Sequence, residues 1–87
     1  MAKNSNSIRS TISFDINLNE ITSINEFCKK ASREEFPIDV VSGRYVVNAK
    51  SIMALFGLDL SKPVTCTVHA DDDTAARFLE AVKAYMV

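Results

Sequence analysis

The sequence has two cysteines, a single histidine and no run of apolar residues near the ~20 that a membrane-spanning helix needs. Cys28 and Cys66 stand too far apart for a CxxC pair, and His69 joins neither of them in a ligand-spaced set. Zinc and dithiol redox chemistry are therefore not expected, and no metal or other cofactor is called for. Both cysteines fall on inward-facing positions, where a free thiol acts as a small hydrophobe. Net charge is only −1, from 10 basic and 11 acidic residues, so no global field favours nucleic acid or an anionic membrane. The N-terminus lacks the apolar core of a signal peptide, which makes the cytoplasm the expected location.

At 87 residues, 47% of them hydrophobic and 24% charged, the chain suits one globular domain with its own core. Residues 1–9 are polar and without periodicity and read as a flexible leader; residues 10–87 read as the domain. Ile12, Phe14, Ile16 and Leu18 alternate with polar residues, the period of a half-buried strand. Ser23 and Glu26 have the S-x-x-E form of a capping box, predicting a helix start there. Ile24, Phe27, Cys28 and Ala31 follow at helical spacing, with Lys29, Lys30 and Arg33 outward, and Pro37 stops the helix.

Ile38 and Val40 open a second strand, Ser42-Gly43 a turn, and Tyr45 to Val47 a third strand, so a hairpin is expected. Ser51 then stands as the N-cap of a short helix to about Phe56, with Gly57 as a left-handed stop. Val64, Cys66, Val68 and Ala70 alternate as a fourth strand, with Thr65, Thr67 and His69 on its wet side. Asp71, Asp72 and Asp73 lead a last helix whose buried stripe reads Ala75, Phe78, Leu79, Val82, Tyr85 and Met86. Strands apolar on alternate positions imply one sheet with one covered face, hence an α+β fold.

The short helix is the functional lead. Ile52, Met53, Leu55 and Phe56 cover more than the ~100° stripe a one-sided helix needs. Met53 and Phe56, with Leu60, are expected to form an exposed cluster, and such side chains are enriched at binding surfaces.

The segment Val47-Asn48-Ala49-Lys50-Ser51-Ile52-Met53 resembles the regulatory-serine region of HPr, the histidine-containing phosphocarrier of the bacterial sugar phosphotransferase system. The hairpin, Gly57-Leu58, the Lys62-to-Val68 strand entry and the acidic start of the last helix extend the likeness over most of residues 10–87. The resemblance implies an open-faced β-sandwich, a four-stranded antiparallel sheet covered on one face by three helices in the order βαββαβα. It also implies a phosphorylatable Ser51 and a partner-binding surface of Lys50, Ile52, Met53 and Phe56. An HPr-type serine kinase and a transcription regulator are the candidate partners. The protein itself is expected to be a non-enzyme and a monomer, with neither nucleic acid nor membrane as partner.

One departure is decisive for this reading. Counting back from Ser51, the family's phosphohistidine followed by Ala-Arg-Pro would fall on Glu20, Ile21, Thr22 and Ser23, none of which matches. The expectation is thus a regulatory or binding protein without phosphohistidine carrier activity. A carrier with a non-standard acceptor, His69 or Glu20, is one alternative; a module binding across the open sheet face is another. That face lacks the interleaved aromatic and basic residues that RNA would want.

Overall fold

The computed structural model describes residues 11–87, so the expected leader at residues 1–9 lies outside the described residues. Four strands form one sheet: β1 (Thr11–Ile16), β2 (Ile38–Ser42), β3 (Tyr45–Asn48) and β4 (Val64–His69), in the order β1-β4-β2-β3 with every pair antiparallel. Three helices, α1 (Ile21–Ser32), α2 (Ile52–Phe56) and α3 (Asp72–Ala81), cover one face. The α+β fold expected from the alternation forms, as the open-faced sandwich that the resemblance implies.

The period-two pattern sets the register. Ile16, Val40, Cys66 and Val68 send their side chains into the helix layer, where they meet Ile24, Phe27 and Ala31 of α1, Leu55 of α2, and Ala75 and Phe78 of α3. Phe27 lies at the centre, edge-on to both Phe78 and Tyr85, with ring centroids 6.2 and 6.4 Å away. Such aromatic pairs add about 0.5–1.5 kcal/mol each beyond their buried area. Cys28 and Cys66 are free and buried; burial, reinforced by the negative charge of Asp39, pushes the Cys66 thiol up to about 12.

The other face is polar. Ser13 and Thr67 share a hydroxyl contact of 3.2 Å, Thr65 donates to Asp15 at 2.9 Å, and His69 Nε2 meets Asp39 Oδ2 at 3.0 Å. These cross-strand pairs tie β1, β4 and β2 together side chain to side chain.

Three local expectations need correction. The helix α1 begins at Ile21 with Glu20 as N-cap, and no side chain caps it. Ser23 therefore lies inside the first turn, which is closed by the main-chain bond from Ile24 N to Glu20 O at 3.0 Å. Glu26 instead accepts the Tyr85 hydroxyl at 2.8 Å, a tertiary contact that no local motif encodes. Gly57 ends α2 at φ −79°, in the right-handed region. The turn closes through Gly57 N to Ala54 O and Leu58 N to Leu55 O, so no left-handed residue is required.

The last helix stops at Ala81 and gives way to a 3₁₀ turn, Lys83–Tyr85. Met86 leaves the helical stripe altogether and bridges Ile16 on the outer edge of β1. Asn17 N to Tyr85 O (2.7 Å) and Val87 N to Asp15 O (3.1 Å) secure this tail. Strand-edge groups that would otherwise rely on water thus gain partners, which a continued helix could not supply.

The hairpin forms as expected, but its turn lies one residue later than Ser42-Gly43, because Ser42 pairs with Tyr45 as the last residue of β2. Gly43 has φ +61° at the first position of the two-residue turn Gly43-Arg44, the conformation that a type II′ hairpin demands. Asp71 caps α3 by accepting from Thr74 N at 2.8 Å, and hydrogen bonds from the Thr74 main chain and side chain hold its carboxyl below the usual range.

Candidate functional site

Helix α2 is only five residues long, too short to persist without tertiary support. Its position is fixed from both ends. The Asn48 side chain accepts from Lys50 N at 2.9 Å, bending the chain out of β3. Ser51, in extended conformation, then accepts from Ala54 N at 3.3 Å through its hydroxyl, the predicted cap. Leu55 is fully buried and anchors the helix in the core.

With Leu55 inward, α2 turns Met53 and Phe56 out, 82% and 50% exposed. Ile52 is half-buried and faces α1, lining a shallow groove with Asn25, Cys28, Lys29, Ser32 and Arg33. The expected cluster is thereby trimmed at one place. Leu60 packs against the core and does not join Met53 and Phe56 on the surface. Lys50 directs its ammonium to the Glu34 carbonyl at 2.7 Å, pinning the α2 entrance to the segment after α1. That bond employs Lys50 as a brace within the molecule, a role invisible from its place beside Ser51.

Glu20, Ile21, Thr22 and Ser23 lie at the β1–α1 junction, as counted from Ser51. Glu20, Ile21 and Thr22 are exposed, Ile21 by 67%, and Ser23 is half-buried. The cations of α1 are remote from this end: Lys29 and Lys30 occupy its last turn. Nine residues separate Glu20 from Lys29, or ~13 Å along the helix.

His69 occupies the opposite end of the sheet, on the open face, held by Asp39. It borders an open groove walled by Arg33, Phe36, Pro37, Ala70, Asp71 and Thr74 beyond the C-terminal end of α1. Glu20 and Ser51 precede the first and second helices, and His69 ends β4. Among the described residues, no group of three His, Cys, Asp or Glu side chains is placed to hold a metal, and no helix is long and apolar enough to cross a membrane. Two exposed apolar side chains lay outside the sequence reading, Tyr45 and Val46 on β3, 66% and 63% exposed. As consecutive residues they point to opposite faces of β3, the edge strand of the sheet.

Comparison with known proteins agrees with this architecture. A family model described as "PTS HPr component phosphorylation site" matches residues 9–87. The phosphocarrier protein HPr from Bacillus anthracis str. Ames is 25% identical with a TM-score of 0.68, covering 90% of this chain and 99% of its own. HPr-C-His from Thermoanaerobacter tengcongensis is 23% identical with a TM-score of 0.64, covering 86% of this chain and 88% of that one. A mycoplasma histidine-containing phosphocarrier protein is 22% identical with a TM-score of 0.63, covering 86% and 89%. A search of curated protein sequences gives no match. With its helix-covered sheet, its serine-capped short helix and a family match across nearly the whole domain, the chain belongs to the HPr phosphocarrier family of the phosphotransferase system.

Proposed function

We propose that this protein is a regulatory, protein-binding member of the HPr family that does not carry phosphohistidine, and that Ser51 is its phosphoacceptor. The observation that carries the reading is the pairing, on one five-residue helix, of a serine cap with the outward-facing Met53 and Phe56. Such a helix presents an apolar contact surface whose edge carries a modifiable hydroxyl.

The β1–α1 junction supports the loss of carrier chemistry. A phosphorylated side chain at Glu20, Thr22 or Ser23 would have the amides of the first turn, while the cations of α1 itself, Lys29 and Lys30, sit in its last turn. The working face is therefore α2 with the adjoining groove of α1.

Phosphorylation of Ser51 adds about two negative charges at the border of the apolar patch. A partner that buries Met53 and Phe56 then gains affinity if it brings Arg opposite Ser51, and loses affinity if it brings Asp or Glu. Lys50, held on the Glu34 carbonyl, keeps the α2 entrance in place in either state.

The test is incubation with ATP and an HPr-type serine kinase, followed by mapping of the phosphate. Label on Ser51 that Ser51→Ala abolishes is expected; no label on the wild-type protein would remove the phosphoserine part. Phosphoenolpyruvate with the phosphotransferase enzyme should give no acid-labile phosphoprotein. A label lost in His69→Ala would replace this reading with that of a carrier using a non-standard acceptor.

A further inference from the structure

The open groove beyond the C-terminal end of α1 plays no part in the α2 surface, yet it stands where the chain enters the fold. Thr11 pairs with His69, the last residue of β4, and Thr11 itself lines the groove. The chain ahead of β1 therefore joins the sheet at the end where β4 stops. Phe36 and Pro37 give the groove its apolar wall. The Phe36 ring is half-buried and fixed edge-on to Phe78, with centroids 6.1 Å apart.

The rim is acidic. Three carboxylates, Glu34, Glu35 and Asp71, stand against one guanidinium, Arg33. Asp71 is committed to capping α3, but the carboxylates of Glu34 and Glu35 make no ion pair among the described residues. Lys50 takes only the main-chain oxygen of Glu34. The C-terminal end of the twelve-residue α1 adds its own partial negative charge beside them.

We propose that the chain's own leader, residues 1–10, occupies this groove, with Ile8 on Phe36 and Pro37 and with Lys3 and Arg9 toward Glu34 and Glu35. The leader has the complementary make-up: two cations, no acidic residue, and Ile8 as its one β-branched apolar side chain. The reach agrees. From β1 across β4 to β2 is two strand spacings, ~10 Å, and three residues of extended chain span about the same distance. Ile8, three residues ahead of Thr11, can thus reach Pro37, which directly precedes β2.

The shallowness of the groove favours this occupant over a separate partner. Exposed ion pairs and one half-buried ring hold a free peptide weakly. A short tether, however, supplies an effective concentration in the mM range without any added contact. A partner protein could then use the groove only by displacing the leader. No residue of α2 lines it, so the proposal does not depend on the role assigned to Ser51.

The test compares amide NMR spectra of the full chain and of a chain lacking residues 1–8. Signals of residues 33–37 and 69–74 should differ between the two, while those of α2 coincide. Ile8→Asp in the full chain should move Ala70 and Thr74 to their positions in the shortened chain, with the melting temperature unchanged. The double substitution Glu34→Lys with Glu35→Lys should do the same at Ala70 and Thr74. A synthetic peptide of residues 1–10 added to the shortened chain should shift the same signals, with Kd on the order of 1 mM. Coincident spectra at residues 33–37 overturn the proposal, as do differences that survive Ile8→Asp. Differences that grow with protein concentration would place the leader on a second copy and overturn occupancy within one chain. Peptide-induced shifts confined to other residues would also overturn it.

Discussion

Replacing Ser51 with alanine tests the central structural claim and prepares the functional one. The hydroxyl accepts from Ala54 N at 3.3 Å, longer than the usual 2.9–3.0 Å of such bonds. Loss of an N-cap side chain costs about 0.5–2 kcal/mol, and a long, half-buried bond belongs in the lower part, ~0.5–1 kcal/mol. The helix itself should survive, because the main-chain bond from Leu55 N to Ser51 O (3.1 Å), the buried Leu55 and the Lys50–Glu34 brace are untouched. For a domain of this size that loss corresponds to a fall in Tm of roughly 2–6 °C. Urea unfolding should show a lower midpoint at an unchanged slope, since the surface exposed on unfolding is the same. Asp71→Ala offers the comparison: its bond to Thr74 N is 2.8 Å, comes from a carboxylate, and caps the ten-residue α3. It should be the more damaging change. A Ser51→Ala variant as stable as wild type, or less stable than Asp71→Ala, would refute the cap energetics. If the small loss is found, absence of label in this variant reports the missing hydroxyl and not a collapsed helix.

Other consequences are equally direct. Burial, with the hydrogen bond to Glu26, pushes the Tyr85 hydroxyl up to about 12; the folded state thus holds this proton more tightly than the unfolded one. Its stabilising contribution is complete below the ordinary value of 10 and lost as pH rises through about 12, so Tyr85→Phe should flatten the alkaline decline seen in a pH series of thermal melts. Cys66, fully buried with its thiol pushed up to about 12, should resist a thiol-specific reagent at pH 8 in the native protein and react once urea unfolds it. Fast native labelling at Cys66 would contradict its burial. Phe27→Ala removes the ring at the centre of the aromatic cluster and should cost about 3–5 kcal/mol in denaturant unfolding, a large part of the stability of so small a domain. Gly43→Ala should destabilise through its φ of +61°, with open space around the added methyl excluding a clash as the cause.

The sequence determined what depends on near neighbours and on repeat distance. Period-two alternation specified four strands and the covered face, because successive strand side chains point to opposite sides. Helical spacing identified the stripe of Ile24, Phe27, Cys28 and Ala31, and short-range side-chain bonding located the caps Ser51 and Asp71. Tertiary structure decided the rest. A capping box at Ser23 was a sound local possibility, but Glu26 is taken by Tyr85, 59 residues away. The buried stripe of the last helix counted Tyr85 and Met86 as helical, yet an edge strand with unpaired groups drew the tail into a bridge at Ile16. Lys50 looked like a free charge beside Ser51 until the fold brought the Glu34 carbonyl to within 2.7 Å of it. The surplus of apolar residues on α2 did point to exposure of Met53 and Phe56, but not to that of Tyr45 and Val46. Which side chains face water depended on which face of α2 Leu55 anchors and on which strand ends the sheet, both properties of the assembled layers and not of any local segment.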